Sequence, residues 1–453
     1  MTIADQLAKY AHNLNYADLP PEVVHEVKRR VIDSLGCAVA AMDSEPAKIV
    51  GEIAHCVSSR RGATVLGTTH ITSPEMAAFA NGAMVRYLDY NDTYLSKEPA
   101  HPSDNIPAAI AMAESCEKNG RELILAIALA YEIQCRLCDA ASLRMRGWDH
   151  VTYGAFSATL AAAKLMGLGL RKKVHALGLA ATPNIALRQT RVGEISMWKA
   201  CAFSNMARNA LFAAELARLG MTGPAPIFEG GKGFMKQVSG PFMLDGMGGV
   251  DGATFKIMES SIKYFPAEYH SQSAIEAALA LRHEVGDLDR VKSIEIWTFE
   301  AAYSIIGNEA EKWKPKSRET ADHSLPYCVA AALEDGKIDL DSFNEERIAN
   351  EQTLALMKRI SVHVDPELDA EYPVGIPNLL EVQGEDGKIW GKKVSFPKGH
   401  AKNPMSDKEV EAKFRRLAEG RLGSSRVDEI LEKLWRLDEA KDIGAIMRLF
   451  ASE

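Results

Sequence analysis

The side chains best suited to chemistry are concentrated in residues 89–104, where sixteen residues hold four carboxylates, one lysine and one histidine. Carboxylates and imidazoles exchange protons with substrates near neutral pH, so general acid and base chemistry fits this segment. A solvated turn is the ordinary alternative for a polar connection. Tyr90, Tyr94, Pro99 and Pro102 instead favour an ordered loop held against other elements. We therefore predict a functional loop, because reactive groups are often carried on loops that a rigid scaffold fixes.

Two further candidate residues, His150 and Lys199, lie near the starts of predicted helices. His150 precedes a helix that begins near Thr152, and it is either a neighbour of the N-cap or an imidazole directed into a cleft. Lys199 lies on an apolar helix, where its amine either extends to solvent or neutralises a bound anion. Arg191, close upstream, adds positive charge.

A third group of candidates lies in residues 263–272, where Lys263, Glu268 and His270 follow one another within eight residues. This segment connects two regions of different sequence character. Small ligands bind preferentially in clefts between domains. We therefore expect these three side chains to contact a substrate.

Residues 318–327 concentrate polar groups immediately before an apolar helix, and they include Asp322, His323, Ser324 and Tyr327. Such a cluster at a helix start suits anion binding. Ordinary capping of the helix by Asp322 or Ser324 also explains part of the pattern. Both interpretations predict an ordered helix start.

Two motifs argue for structure rather than chemistry. Cys135 and Cys138 are the only close cysteine pair, and no second pair completes a zinc or iron–sulfur site, so they are predicted to be buried helical thiols. The Gly-Gly-Lys-Gly sequence at 230–233 lacks the spacing and the trailing Ser or Thr of a phosphate-binding loop. We interpret it as a turn.

The elements that must position these residues are mostly helices, because apolar residues recur at helical spacing from residue 1 to about 220. A loop-rich passage covers 222–256. The pattern then becomes that of a smaller α+β region, with strands near 291–299 and 360–364 and a hairpin at 379–382 and 389–394. We predict a mainly α protein whose large helical domain has a first segment, 1–266, and C-terminal helices, 401–453. A smaller α+β domain, 267–400, is inserted between them. The helices predicted in the first segment are 21–38, 47–56, 74–88, 106–116, 121–141, 152–165, 172–181 and 196–219.

Composition excludes several classes of protein. The formal net charge is −8, which argues against a binder of nucleic acid or of anionic membranes, since both need a dominant basic face. The longest apolar run has nine residues, against the roughly 18 of a membrane span, and no secretory or transit signal is visible. Seven scattered cysteines do not form a disulfide framework. We expect a cytoplasmic protein, or a mitochondrial-matrix protein in a eukaryote.

Three of the segments together resemble the MmgE/PrpD family: residues 86–105, 264–272 and 318–327, in the order the family has them. The resemblance covers nearly the whole chain. It implies a large helical domain completed by C-terminal helices, a smaller α+β domain, a site in the cleft, and a homodimer. It also implies catalysis without an iron–sulfur cluster, in agreement with the interpretation of the cysteine pair.

The activity implied by the resemblance is elimination of water from 2-methylcitrate, with citrate as an alternative substrate, in propionate catabolism. The mechanism expected is metal-independent acid and base catalysis on a tricarboxylate, with neither metal nor cofactor. The residues expected to transfer protons are Asp89, His101, His150 and Tyr327. The residues expected to bind substrate are Thr93, Arg191, Lys199, Lys263, Glu268, His270 and His323.

Two alternatives stay open. In the cis-aconitate decarboxylase branch of the family a histidine directly follows the Pro-Ala pair, whereas here Glu268 follows it and His270 comes two residues later. Decarboxylation, or epimerisation of a related dicarboxylate, is therefore the second hypothesis. A helical interaction protein with a solvated polar loop is the third, and it gives no reason for histidines and lysines to gather at several helix junctions.

Overall fold

The computed structural model describes residues 1–451 and divides them into two compact units. The larger unit holds residues 1–191, residues 197–260 and the segment that begins at Ser406. The smaller unit holds residues 192–196 and 261–405. Helices dominate the chain, which confirms the predicted mainly α class.

Helices α1 to α9 and α17 to α19 form the larger unit, together with a two-stranded antiparallel ribbon, β1 and β2. Local sequence starts several of these helices. Thr2 and Asp5 form a reciprocal capping box at α1, and Pro21 and Pro74 occupy first-turn positions in α2 and α4. The elements are α1 (Ile3–Asn13), α2 (Pro21–Ala40), α3 (Glu45–His55), β1 (Ala63–Thr64), β2 (Ile71–Thr72), α4 (Pro74–Tyr87), α5 (Ile106–Ser115), α6 (Gly120–Ala140), α7 (Gly154–Leu165), α8 (Leu170–Ala181), α9 (Trp198–Leu219), α17 (Asp407–Leu422), α18 (Ser424–Trp435) and α19 (Ile443–Arg448).

Small residues allow α4 and α9 to pack closely. A Cβ added at Gly82 on α4 would lie 2.6 Å from the Ser204 side chain on α9, which is closer than real Cβ contacts allow. The same helices carry Arg86 and Lys199, which are both buried. The close packing therefore places two cationic side chains in one part of the core.

The C-terminal helix α17 packs on α2 within the larger unit. Its Lys413 is fully buried and lies 2.6 Å from an Asp33 carboxylate oxygen on α2. The same amine donates a hydrogen bond of 2.8 Å to the Tyr90 carbonyl oxygen. Helix α17 therefore contacts the start of the 89–104 loop directly.

The smaller unit contains a four-stranded sheet of order β4-β3-β5-β6. Strands β3 and β4 are parallel and the other neighbours are antiparallel, with the predicted hairpin joining β5 and β6. Burial alternates along β5, as expected where one face of a sheet covers a core and α10 packs on it. The elements are α10 (Gln272–Val285), β3 (Val291–Thr298), α11 (Glu300–Ala302), α12 (Arg318–Ala321), α13 (Leu325–Asp335), α14 (Glu345–Ile348), α15 (Glu351–Met357), β4 (Ile360–Val364), α16 (Pro366–Asp369), β5 (Asn378–Gly384) and β6 (Ile389–Val394).

Within residues 1–451, none of the helices combines the length and the apolarity needed to cross a lipid bilayer.

Candidate active site

The 89–104 loop is buried in the larger unit rather than solvated. Asp89 adopts a left-handed backbone conformation with φ of 51°, which ends α4 and turns its carboxylate back towards Arg86 in the preceding turn. Tyr90 and Tyr94 are almost fully buried, as their aromatic character predicted. Lys97 is the exposed residue of the segment.

Two carboxylates of the loop hold its shape. Asp92 is fully buried and accepts hydrogen bonds from the Tyr131 hydroxyl at 2.7 Å and from the Ser103 amide at 3.0 Å. Glu98 is also fully buried and accepts from the amides of Leu143 and Arg144 at 2.7 and 3.0 Å. The sequence predicts that Asp92 and Glu98 shape or solvate the loop, and their burial shows that they shape it. Both anchor the loop to neighbouring segments.

Arg86, in the last turn of α4, connects several groups of the loop. It forms an ion pair with the Asp89 carboxylate, and its Nη2 lies 2.9 Å from Nε2 of His101. Its Nε lies 3.9 Å from a carboxylate oxygen of Asp104. We refer to Arg86, Asp89, His101, Asp149 and His150 as the loop cluster.

Both ring nitrogens of His101 have partners in the larger unit. Nδ1 lies 2.7 Å from the Asp92 carbonyl oxygen and 3.2 Å from the Thr93 hydroxyl. Nε2 faces the Arg86 guanidinium. The predicted substrate-binding residue Thr93 is buried beside the ring.

His150 and Asp149 form the second half of the loop cluster, at the turn that precedes α7. The His150 Nδ1 lies 3.1 Å from an Asp149 carboxylate oxygen, and its ring is edge-on to that of His101 with 5.7 Å between centroids. The buried Nε2 of His150 has no hydrogen-bond partner among the described residues. Burial, reinforced by the nearby arginines, lowers the pKa of His150 to about 3 despite the Asp149 carboxylate.

Asp149 is in turn held by Arg191, whose Nε donates to it at 2.9 Å, and by the Val151 amide. Burial by itself raises a carboxyl pKa, but these donors outweigh it and hold the pKa of Asp149 at about 2. The charged carboxylate favours a proton on Nδ1 of His150. The unpartnered Nε2 then carries a lone pair, and His150 has the form of a general base.

Lys199 is buried at the start of α9, and its Nζ lies 3.7 Å from an Asp89 carboxylate oxygen. Of the two interpretations drawn from the sequence, extension of the amine to solvent is therefore wrong. The Lys199 amine and the Arg86 guanidinium share Asp89, so two cations lie around a single carboxylate.

The smaller unit has its own cluster of predicted site residues. Glu268 accepts from the His270 amide and lies 2.7 Å from His270 Nδ1. Burial alone raises the pKa of Glu268, but His270, His323 and Lys263 outweigh it and hold this pKa at about 2. Lys263 is fully buried. Glu268 is therefore a carboxylate surrounded by basic groups.

The segment before α13 contributes the remaining predicted residues. His323 Nδ1 lies 2.5 Å from an Asp322 carboxylate oxygen. Ser324 is the N-cap of α13 and accepts from the Tyr327 amide, so the capping interpretation is correct for Ser324. The Tyr327 hydroxyl is buried and donates to the Ser342 carbonyl at 2.5 Å, and burial raises the pKa of this phenol.

The cysteine pair behaves as predicted. Cys135 and Cys138 are buried free thiols on α6, and burial raises the pKa of each well above its ordinary value.

Sequence reasoning assigned no individual role to three residues of the loop region: Arg86, Asp104 and Asp149. Asp149 had a local signal, because an aspartate directly before a histidine at a helix start can both cap the helix and pair with the ring. Arg86 had none, since it lies in an apolar helical pattern and its partners come later in the chain. Asp104 is recognisable only by its burial.

Most of the chain matches the two domains of one known protein family. Residues 5–246 match the MmgE/PrpD N-terminal domain, and residues 265–437 match the MmgE/PrpD C-terminal domain. The 2-methylcitrate dehydratase of Cupriavidus necator is 31% identical over 82% of this chain and 80% of its own. The 2-methylcitrate dehydratase of Salmonella typhimurium is 28% identical over 82% and 81%, respectively. The cis-aconitate decarboxylase of Mus musculus is 25% identical over 99% and 93%.

Proposed function

The chain belongs to the MmgE/PrpD family and is an enzyme of that family, and from this premise we propose that it eliminates water from 2-methylcitrate to give 2-methyl-cis-aconitate. The relatives from Cupriavidus necator and Salmonella typhimurium, both named 2-methylcitrate dehydratase, support this substrate. The observation that carries the chemistry is the Asp149–His150 pair, whose buried Nε2 has no partner among the described residues.

The proton to be removed lies α to a carboxylate and is very weakly acidic, so the enzyme must stabilise an enolate-like anion as it forms. We propose that His150 takes this proton at Nε2, because this atom has no hydrogen-bond partner among the described residues and the Asp149 carboxylate, 3.1 Å from the other ring nitrogen, favours the protonated ring. We propose that Arg191, which pairs with Asp149, and Lys199, which pairs with Asp89, supply positive charge to the carboxylate that becomes enolate-like. Preorganised charges of this kind are worth most where water is excluded.

The other predicted residues enter as proposals. We propose Asp89 and Tyr327 as further catalytic residues, with Tyr327 as a candidate acid for the leaving hydroxide once its hydroxyl leaves the Ser342 carbonyl. We propose that His101, with 5.7 Å between its ring centroid and that of His150, acts beside His150 without accepting the substrate proton. The proposed substrate-binding residues are Thr93, Arg191, Lys199, Lys263, Glu268, His270 and His323. The carboxylate–histidine contacts of Glu268 and Asp322 support roles for His270 and His323, because such contacts fix a ring's orientation.

Decarboxylation of cis-aconitate is the second candidate, favoured by the nearly complete coverage of the mouse decarboxylase. Two observations count against it. Identity to that relative is 25%, and Glu268 stands where the decarboxylase branch is expected to have histidine.

The deciding experiment incubates the purified enzyme separately with 2-methylcitrate, citrate and cis-aconitate. Absorbance of the unsaturated acid, released carbon dioxide and the identity of each product are recorded. We expect 2-methylcitrate to be dehydrated fastest, without carbon dioxide. Carbon dioxide from cis-aconitate, with no dehydration of 2-methylcitrate, would establish the second candidate instead. Absence of turnover and of any thermal shift with all three acids would favour an interaction protein, since a ligand at 100 times its Kd stabilises the native state by about 2.7 kcal/mol.

We also propose a cytoplasmic homodimer, on the basis of the family resemblance. Light scattering should give a mass near twice the 49.5 kDa of one chain.

A further inference from the structure

The Arg86 guanidinium is positioned to control His101. Its side chain is 3% exposed, and its Nη1 pairs with Asp89 while its Nη2 lies 2.9 Å from His101 Nε2. A guanidinium is planar, remains charged at any pH the enzyme meets, and can only donate hydrogen bonds. The group that faces Nε2 is therefore a permanent donor.

The opposite ring nitrogen of His101 faces a permanent acceptor. The Asp92 carbonyl oxygen lies 2.7 Å from Nδ1, and a carbonyl can only accept. Nδ1 must therefore carry the hydrogen, and Nε2 must present its lone pair to Arg86. The Thr93 hydroxyl, 3.2 Å from Nδ1, is compatible with this arrangement because a hydroxyl can accept a hydrogen bond as well as donate one.

From this geometry we propose that Arg86 is a positioning residue that keeps His101 neutral with its proton on Nδ1, and so leaves proton acceptance to His150. A proton on Nε2 of His101 would bring two cations together and would break the hydrogen bond from Arg86. The His150 Nε2 differs in one respect: no donor occupies its lone pair, since the atom is buried without a hydrogen-bond partner in residues 1–451. The assignment of different catalytic roles to His101 and His150 rests on the proposed dehydratase function.

The groups that surround the pair support this role. Asp89 holds Arg86 from the end of α4, and Lys199 of α9 lies on that same carboxylate. Asp104 competes for the Arg86 guanidinium. One of its carboxylate oxygens lies 3.9 Å from Arg86 Nε, and the other accepts a hydrogen bond of 2.8 Å from the side-chain amide of Asn91. Burial outweighs Arg86 and raises the pKa of Asp104 to about 7. Below neutral pH Asp104 is therefore mostly protonated and competes weakly for the guanidinium.

The test uses two variants that separate the charge of Arg86 from its hydrogen bond. Arg86→Lys keeps a cation that can only donate, whereas Arg86→Gln keeps an N–H donor and removes the charge. The full-length protein is labelled with ¹⁵N at histidine, and the His101 signals are identified by their absence in His101→Gln. The ring nitrogen shifts report the protonation state of His101 between pH 7.5 and pH 6.

We expect a neutral His101 with the proton on Nδ1 at pH 6 in the wild type and in Arg86→Lys, and a protonated ring in Arg86→Gln. At the same pH, kcat for 2-methylcitrate should fall at least about tenfold in Arg86→Gln, with KM changed less than about threefold, and should recover partly in Arg86→Lys. Arg208→Met, which removes an arginine stacked on Phe79 at 5.3 Å, is the matched control and should leave both readouts unchanged.

The inference is overturned if His101 has the same protonation state at pH 6 in the wild type and in Arg86→Gln. The NMR measurement needs no substrate, so it decides this point even if the enzyme does not dehydrate 2-methylcitrate. Conversely, dehydration by the wild type together with an unchanged His101 in Arg86→Gln would leave the proposed function standing and remove the role of Arg86.

Discussion

At the scale of single residues, His101 and His150 lie with 5.7 Å between ring centroids but differ in the partners of their Nε2 atoms. The His101 Nε2 accepts from Arg86, while the buried His150 Nε2 has no partner within the described chain. Two identical side chains thus acquire different proton chemistry from their neighbours.

Replacing Asp149 by asparagine should impair the chemical step. The amide keeps the size of the side chain but removes the charge that favours a proton on Nδ1 of His150. We expect kcat for 2-methylcitrate to fall by about 10²- to 10⁴-fold, the range associated with loss of general base catalysis, with a much smaller change in KM. Steady-state kinetics measure both. Asp43→Asn, at an exposed ion pair with Arg421, is the control, and wild-type kcat in Asp149→Asn would contradict the role.

The neutral state of His150 should make stability depend on pH. Its folded pKa, about 3, is below the ordinary value of 6.5, so the unfolded chain binds a proton that the native state does not. The stabilisation is complete above pH 6.5 and is lost as the pH falls towards 3. When the pH falls from 6.5 to 5, the titration of His150 should lower the free energy of unfolding of the wild type by about 2 kcal/mol. This follows from about 1.36 kcal/mol per pH unit for one proton that only the unfolded chain binds.

Urea denaturation at the two pH values measures this change, with His150→Gln as the comparison because glutamine does not titrate. The decrease should be smaller in the variant by about the same 2 kcal/mol. Equal decreases in the two proteins would show that His150 is not held neutral in the native state.

The sequence singles out His101, His150 and Lys199 as candidates because an imidazole beside prolines, an imidazole at a helix start and a lysine on an apolar helix are each unusual in their local setting. Arg86 could not be identified in this way. Its importance comes from Asp89, His101 and Asp104, whose proximity depends on how the loop folds back. Which nitrogen of His101 carries the hydrogen also depends on groups that only the fold brings to the ring, namely Arg86 and the Asp92 carbonyl.

At the scale of secondary-structure elements, the 89–104 loop is fixed by contacts from several helices. Tyr131 of α6 binds Asp92, and Lys413 of α17 binds the Tyr90 carbonyl. Lys413 also pairs with Asp33 and lies 3.7 Å from the centre of the Tyr90 ring. The loop is therefore held by buried polar contacts, and these are costly to break singly.

Lys413→Met should destabilise the larger unit strongly. The change leaves the Asp33 carboxylate buried without the amine that lies 2.6 Å from it. We expect a loss of about 3–5 kcal/mol, the range for removal of one member of a buried ion pair. The measurement is the shift in the urea transition at pH 7.5.

A double variant, Asp33→Asn with Lys413→Met, provides the control because it removes both charges. It should recover part of the loss, since no charge is then left buried without its counterpart. A single variant as stable as the wild type would show that this pair does not hold α17 on α2.

The elements themselves were largely predictable. Strands β4 and β6 have the predicted bounds, because their residues alternate and their ends are marked by turns. At the majority of helix ends, the observed bound differs from the predicted one by one or two residues. Capping, rather than the periodicity of apolar residues, sets where a helix begins and ends. Helix α1 was not singled out, although the Thr2–Asp5 capping box marks its start. The parallel pairing of β3 with β4 joins residues more than sixty apart and has no local signal.

At the scale of the whole molecule, the larger unit is built from three separate stretches of chain, and the last of them begins at Ser406. The residues proposed to bind substrate belong to both units, and that proposal predicts that substitutions in the smaller unit affect the same reaction. We expect His270→Gln and Lys263→Met to raise KM for 2-methylcitrate at least about tenfold, because each removes a group proposed to bind a carboxylate.

Steady-state kinetics on 2-methylcitrate test this prediction, and Lys337→Met, at an exposed pair with Asp339, is the control. Wild-type KM and kcat in both variants would exclude Lys263 and His270 from substrate binding. A melting temperature close to that of the wild type is required in each variant, because both side chains are buried.

The contact of Lys413 with the Tyr90 carbonyl also bears on how the protein matures during synthesis. A ribosome that has completed residue 400 has already made every residue of the loop cluster, but it has not yet made the helix that holds the loop. Nascent chains and prematurely terminated products should therefore remain inactive and expose a polar loop to proteases. Activity should appear only after α17 has left the exit tunnel and packed on α2.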